Sequence, residues 1–168
     1  MKNEILPFSV FENLEEIDID IKNAEDTVKK LNKLLSNHFI LFMKLWNFHW
    51  IVVSKRFKNI HEFFNELYDK FFENIDTVAE RIRSLGGKPF GTFSEYIEES
   101  DIKEYDKSNV PDANKMIEII LEDYETLIKK IRKYLEDGEL DNGTNKLLED
   151  LIEEYEKNAW MLRSNIEK

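Results

Sequence analysis

The sequence contains no cysteine, and only five of its 168 residues are glycine and three are proline. The absence of cysteine excludes disulfide bonds and thiolate metal sites, and it suits a reducing cytoplasm, which is the expected location. Because turn-forming residues are few and 35% of residues are charged, long helices are favoured over a turn-rich sheet protein. We also find no signal-peptide pattern and no apolar run that could span a bilayer, so no membrane association is expected.

Positive charge is also scarce, with 24 Lys and Arg against 35 Asp and Glu and a formal net charge of −11. Because phosphate binding requires clustered Lys and Arg, this composition argues against a direct DNA-binding surface. A negative surface instead attracts cations. Residues 1–20 carry six acidic side chains and one lysine, and we interpret them as an acidic N-terminal extension. Residues 21–168 are of a length suited to one domain.

Two long apolar stripes of helical period follow the extension. The first stripe predicts a helix over residues 21–51 and consists of Leu31, Leu35, His38, Phe42, Leu45 and His49. The second predicts another helix and consists of Ile60, Phe64, Leu67, Phe71, Ile75, Val78, Ile82 and Leu85. Gly86 and Gly87 end this second helix, and the short connection near residues 54–56 makes the two helices an antiparallel hairpin.

The second half of the chain predicts another hairpin. Thr92 and Glu95 form a capping-box pattern, which predicts a short helix inside a crossover over residues 88–110. Pro111 suits the first turn of a third main helix, and residues 137–143 form a turn before a fourth. Two hairpins joined by a long crossover predict an all-α, ferritin-like four-helix bundle with a short extra helix between helices two and three.

The candidate metal ligands lie in the first hairpin. Di-iron bundles place Glu-x-x-His motifs on two helices, but no histidine follows His61, so helices three and four cannot supply one. His49 and His61 flank the short connection and can converge. Asp76 and Glu80 share one helix face because they lie at i and i+4.

One chain cannot bring these two pairs together. Asp76 lies 15 residues after His61, which is roughly 22 Å along a helix. Bonds from histidine or carboxylate to a transition-metal ion are only about 2 Å long. If a second chain packs antiparallel across a two-fold axis, its Asp76 and Glu80 meet the first chain's histidines, giving two identical sites per dimer.

Simpler interpretations remain open at this point. The histidines could be hydrogen-bonded core residues, and the carboxylates could be solvated or paired with Arg81 and Arg83. His38 lies near the level of residue 72 in the hairpin, so a site of His38, Asp76 and Glu80 within one chain is a further alternative. A packed core role for His38 is favoured over that site.

The ordered motifs of the chain resemble those of the Dps family, the DNA-protecting miniferritins. From residue 20 onward the similarity covers nearly the whole chain, and the motifs are KLWNFHW at 44–50, F-x-x-I-H-E at 57–62, D-x-x-A-E-R-I-x-x-L-G-G-x-P at 76–89, G-T at 91–92, D-x-G-T at 141–144 and E-K-x-A-W-M-L at 156–162.

This resemblance implies a hollow homododecamer built from two-fold dimers, with a ferroxidase centre at each dimer interface. His49 and His61 would come from one subunit, and Asp76 and Glu80 from its mate. The family oxidises Fe(II) with hydrogen peroxide or oxygen and stores the ferric product, which implies iron storage, detoxification and protection of DNA from oxidative damage. In such relatives the tryptophan after the first histidine, here Trp50, lies near the metal.

Two departures from the family pattern qualify this expectation. The family has an aspartate where this chain has Asn65, so iron is expected at two positions with the second one weaker. Asp137 and Asp141 are candidate pore residues, but Asn142 and Lys146 stand where acids are common. Two rival functions therefore stay open: a DNA-binding nucleoid protein, or a structural shell that is catalytically weak because of Asn65.

Overall fold

Five α-helices account for most of the computed structural model, which describes residue 21, residues 23–106 and residues 108–166. These described residues contain no β-strand. The helices are α1 (Ala24–Ile51), α2 (Phe57–Ser84), α3 (Phe93–Glu99), α4 (Ala113–Glu136) and α5 (Asn142–Asn165). The all-α bundle and the short helix in its crossover are thus confirmed, whereas the predicted extension over residues 1–20 lies outside the described residues.

The four long helices share one apolar core. α1 packs against α2, and α4 against α5. Their largest fully buried side chains are aromatic, and these are Phe48, Phe64, Phe71, Tyr124 and Tyr155. None of the five helices in the described part of the chain is long and apolar enough to cross a membrane.

Glycine ends α2 as the sequence predicts. Gly86 has a φ of 82°, which a residue without a side chain adopts readily. The Gly87 N–H donates to the Ile82 carbonyl at 2.9 Å, and the Gly86 N–H donates to Arg83 at 2.9 Å. This pattern of two bonds satisfies carbonyls that would otherwise lack partners at the helix end.

Two asparagines of α1 hold the crossover. The Asn32 side chain donates to the Lys88 carbonyl at 3.0 Å and accepts from the Phe90 N–H at 2.8 Å. Asn37 accepts from the Ser100 hydroxyl at 2.9 Å and from the Asp101 N–H at 2.8 Å. The predicted capping box is also confirmed, since Thr92 and Glu95 cap α3 reciprocally. The crossover is therefore fixed to α1 along its length.

Two helix starts differ from the prediction because aspartates cap them. Asp112 accepts from the Lys115 N–H, so α4 begins at Ala113 and Pro111 lies outside the helix rather than in its first turn. Asp141 accepts from the N–H groups of Gly143 and Thr144, so α5 begins at Asn142, inside the predicted turn. A side-chain oxygen in this position satisfies otherwise unpaired N–H groups, which sets where the helix begins.

Candidate metal centre

His49 and His61 lie face to face at one end of the first hairpin. His49 is in the last turn of α1, His61 is near the start of α2, and five residues connect the two helices. The two imidazole rings are stacked, with 3.7 Å between their centroids and 20° between their planes. The convergence predicted from the sequence is thus present within one chain.

Reciprocal hydrogen bonds fix the orientation of both rings. His49 Nδ1 is 2.8 Å from the His61 carbonyl oxygen, and His61 Nδ1 is 2.8 Å from the His49 carbonyl oxygen. Because a carbonyl oxygen only accepts, each Nδ1 carries the proton and donates it. The Nε2 atom of each ring is thus left as the one that a metal ion would bind.

The backbone at this place is suited to these bonds. The His49 carbonyl belongs to the last turn of α1, where carbonyls have no partner within the helix. The His61 carbonyl lies inside α2, and its second lone pair remains available to His49. Backbone carbonyls at the end of one helix and in the first turns of the next thus orient the two candidate ligands.

Aromatic side chains pack around the histidine pair. Phe57 stacks on His61 with 4.9 Å between ring centroids and 28° between planes. Tyr68 meets His49 edge to face, with 5.2 Å between centroids. Both imidazoles are only partly exposed. Packing on both rings restricts their side-chain torsions and so lowers the entropy lost when a metal ion binds.

The carboxylate pair lies far along the same helix. α2 runs without a break from Phe57 to Ser84. At the rise per residue of an α-helix, His61 and Asp76 are therefore roughly 22 Å apart along it. Both Asp76 and Glu80 are exposed. The described residues contain no group of three or more His, Asp or Glu that could hold a metal ion.

The arginines beside the carboxylates have other partners. Arg81 donates to the Asp141 carboxylate and to the Thr144 hydroxyl, and Arg83 donates to the Gly87 carbonyl at 3.0 Å. The alternative in which these arginines neutralise Asp76 and Glu80 is therefore not realised. The carboxylates of Asp76 and Glu80 therefore remain available to bind a metal ion.

Asn65 is held by two neighbours on α2. Its amide oxygen accepts from the Tyr68 hydroxyl at 2.6 Å, and its amide nitrogen donates to the Asp69 carboxylate at 2.6 Å. Its side chain is thus already oriented, and its oxygen has one lone pair left. Such an amide is a poorer ligand for iron than the carboxylate expected at this position, because it carries no charge.

His38 belongs to the core and not to a metal site. It is fully buried, its Nε2 is 2.7 Å from the Tyr155 hydroxyl, and its ring contacts Phe71 edge to face. Burial lowers the pKa of His38 to about 3, because the charged imidazolium cannot be solvated there. The packed role favoured from the sequence agrees with this position, and the site of His38, Asp76 and Glu80 is not formed.

Both candidate pore residues have partners within the chain. Asp141 caps α5 and pairs with Arg81, and hydrogen bonds from Thr144 together with this charge hold the pKa of its carboxyl below the usual range despite partial burial. Asp137 is exposed and lies 3.7 Å from the Lys30 ammonium. Each carboxylate is therefore partly compensated within the chain, and the assignment of Asp137 and Asp141 to a pore stays a prediction.

Sequence reasoning did not identify Tyr68 and Asp69 as parts of this region, and it gave Phe57 no role beyond its place in a motif. The signal was the helical spacing, since Tyr68 follows His61 by seven residues and Asp69 follows Asn65 by four. Residues with these separations lie on one face of a helix. Each of them contacts a candidate ligand position directly.

Comparisons with known proteins give the family of this chain. The family model of the ferritin-like domain matches residues 28–168. The DNA protection during starvation protein 2 of Bacillus anthracis is 40% identical over 142 residues, which cover 83% of this chain and 96% of that protein. The family-model match extends over all five helices.

Solved structures agree in fold as well as in sequence. The crystal structure of Dps from Staphylococcus aureus has a TM-score of 0.82 and 32% identity and covers 88% of this chain and 99% of its own. The Dps protein from Vibrio cholerae O1, a member of a broad superfamily of ferritin-like diiron-carboxylate proteins, has a TM-score of 0.81 and 32% identity over 86% of this chain and 91% of its own. The chain therefore belongs to the Dps family of ferritin-like proteins, as its motifs predict.

Proposed function

We propose that this chain is an iron-storage and detoxification protein of the cytoplasm. It assembles as a hollow homododecamer of two-fold dimers, oxidises Fe(II) with hydrogen peroxide or oxygen at sites between subunits, and keeps the ferric mineral inside the shell. DNA is protected because Fe(II) and peroxide are consumed together. Membership of the Dps family supports this proposal, as does the diiron-carboxylate superfamily of one structural relative.

One observation carries the proposal more than any other. The two ends of α2 each present half of a donor set, and a rigid helix keeps the halves apart. His49 and His61 offer two oriented Nε2 atoms, whereas Asp76 and Glu80 offer two exposed carboxylates. An antiparallel two-fold dimer would join each histidine pair to the carboxylates of its mate.

The donor set suits the proposed chemistry. Imidazole nitrogens and carboxylates bind Fe(II), and the anionic carboxylates favour the ferric product. No protein nucleophile or general acid is required, since the oxidant takes electrons from the bound Fe(II). The net charge of −11 draws cations toward the protein.

A mixed-chain experiment tests the shared site. Chains carrying His61→Ala and chains carrying Asp76→Ala are co-expressed with different tags, and Fe(II) oxidation is followed by the absorbance of the ferric product. Each mixed dimer then has one intact site and one site that lacks both ligands. Random pairing restores about a quarter of the wild-type sites, whereas each variant alone remains inactive.

Matched variants complete the test. Glu66→Ala removes an exposed carboxylate from the same helix and should leave oxidation unchanged in every mixture. A native mass of roughly 240 kDa, twelve chains of 20.2 kDa, is expected for all variants. If His61→Ala chains oxidise iron as fast as the wild type, or if mixing restores nothing, the shared site is wrong.

Two other functions make different predictions. A DNA-binding nucleoid protein would retard DNA in a gel shift that weakens with salt, and we expect no retardation because the protein is acidic. A structural shell that is catalytically weak would assemble normally but oxidise iron no faster than its His61→Ala variant. The engagement of Asn65 by Tyr68 and Asp69 is the observation that favours this second alternative.

A further inference from the structure

Tyr68 is the oxidisable side chain that packs on the histidine pair. Within the part of the chain that the structure describes, the ring neighbours of the pair are Phe57 on His61 and Tyr68 on His49. A phenylalanine ring is hard to oxidise, whereas a phenol loses one electron and one proton together. Tyr68 thus lies one ring away from the position where Fe(II) would be oxidised.

The Tyr68 hydroxyl is kept in its protonated form and in a fixed direction. It donates to the Asn65 amide oxygen at 2.6 Å, and the residue is partly buried. Because the hydroxyl donates this bond, the phenol carries the hydrogen that it would give up.

Asn65 is the reason why the centre needs a further electron donor. Hydrogen peroxide takes two electrons, and a centre with two filled iron positions supplies both from Fe(II). In this chain the second position lacks its carboxylate, and the amide oxygen that replaces it accepts from Tyr68. A centre that holds a single Fe(II) supplies one electron, and one-electron reduction of peroxide releases a hydroxyl radical.

We propose that Tyr68 supplies the second electron when one Fe(II) reacts with hydrogen peroxide, which rests on the function proposed above. Fe(II) loses one electron and becomes Fe(III), and Tyr68 loses its hydroxyl hydrogen and becomes a phenoxyl radical. The O–O bond of peroxide breaks, one oxygen leaves as water with the hydrogen from Tyr68, and the other leaves as hydroxide. No hydroxyl radical is released.

Two tryptophans give the oxidised tyrosine a route to the surface. The ring centroids of Tyr68 and Trp46 are 6.4 Å apart, and those of Trp46 and Trp50 are 4.8 Å apart. The side chain of Trp50 is 55% exposed in the single subunit. Among the described residues Tyr68 has a ring contact with a histidine and Trp50 has none, so the proposal makes Tyr68 the first donor and the two indoles the next ones.

Radical detection tests this proposal directly. Protein loaded with one Fe(II) per subunit is mixed with one equivalent of peroxide, frozen rapidly and studied by electron paramagnetic resonance. The wild type should give an organic radical whose spectrum narrows when the tyrosines are ring-deuterated. Tyr68→Phe should lose at least about nine-tenths of that signal and release several-fold more hydroxyl radical to a spin trap.

Tyr96→Phe is the matched control. Its hydroxyl donates to the Phe90 carbonyl at 2.7 Å, so the variant also loses one phenolic hydrogen bond, but the ring packs on Phe39 instead of a histidine. It should give the wild-type radical yield. Both variants should keep the wild-type native mass, and Tyr96→Phe, which lies outside the site, should also keep the wild-type affinity for Co(II).

The outcomes separate this proposal from the function on which it rests. If the wild type oxidises Fe(II) no faster than His61→Ala, the proposed function is wrong. If the wild type oxidises Fe(II) but forms no radical, forms one that does not respond to tyrosine deuteration, or forms it equally in Tyr68→Phe, then only the role of Tyr68 is wrong.

Discussion

The two ends of α2 are organised differently, although each is proposed to supply half of the ligands of an iron site. At one end His61 is stacked on His49 and Phe57, and its Nδ1 proton is already donated to a carbonyl. At the other end Asp76 and Glu80 are exposed. The first half is thus oriented before any metal arrives, whereas the second half contributes negative charge and must be ordered on binding. In the proposed shared site, each half functions only when the other half is present.

The largest expected effect is the loss of Co(II) affinity when the histidine pair or the carboxylate pair is removed. We expect His49→Ala combined with His61→Ala to weaken Co(II) binding by at least about 100-fold, because imidazole suits such ions and these rings are already oriented. Asp76→Ala combined with Glu80→Ala should weaken it by roughly 10-fold to 100-fold, because part of the carboxylate interaction offsets lost side-chain entropy. Calorimetric titration of the assembled protein measures both. A greater loss for the carboxylate pair would contradict the role given to orientation.

The middle of α2 differs from both ends, because there Phe71 contacts the buried His38. The folded-state pKa of His38 is about 3, below its ordinary value of 6.5, so the unfolded chain binds a proton first as the pH falls. The contribution of buried, neutral His38 to the free energy of unfolding is fully present above pH 6.5. It is lost progressively as the pH falls from 6.5 to 3. The loss is about 1.4 kcal/mol per pH unit.

Guanidinium unfolding at pH 6.5 and 5 should therefore show about 2 kcal/mol more acid destabilisation in the wild type than in His38→Gln. Tyr155→Phe is the control, since it removes the hydroxyl beside His38 Nε2 but leaves the imidazole buried. It should lower stability at both pH values and keep the wild-type difference between them. An equal pH dependence in the wild type and His38→Gln would show that other groups cause the acid lability.

The contrast between these three positions also shows what a sequence can predict. Helical periodicity and the rise per residue were sufficient to place His49 beside His61 and to separate Asp76 from both, because these depend on backbone geometry alone. The partners of the ring nitrogens were not predictable, since they depend on how the carbonyls at the end of α1 and in the first turns of α2 face the two rings. Burial of His38 was the favoured interpretation, but periodicity could not establish it, because its partner Tyr155 lies 117 residues away.

The substitution Asn65→Asp should make the histidine end more like the family pattern. A carboxylate at this position adds an anionic ligand one turn after His61, so we expect the affinity for a second Co(II) ion to rise about 10-fold. The variant loses the donation to Asp69 and gains a like-charged neighbour at i+4, which should cost about 0.5 kcal/mol of stability. Asn59→Asp makes the same charge change on another face of α2 and should leave the metal stoichiometry unchanged. If the wild type binds a second Co(II) ion as tightly as Asn65→Asp does, Asn65 does not weaken the second position.

The smallest effect should come from the ring that stacks on His61. Phe57→Ala removes an aromatic contact, and such contacts contribute about 0.5–1.5 kcal/mol, so we expect Co(II) affinity to fall roughly 3-fold to 10-fold. Thr77→Ala is the corresponding change at the carboxylate end, where the Thr77 hydroxyl donates to the Glu73 carbonyl at 2.9 Å. It should leave the affinity unchanged, because the carboxylates are not oriented by packing in the free subunit. If the two variants lose affinity equally, the two ends of α2 are ordered to the same degree in the assembled protein.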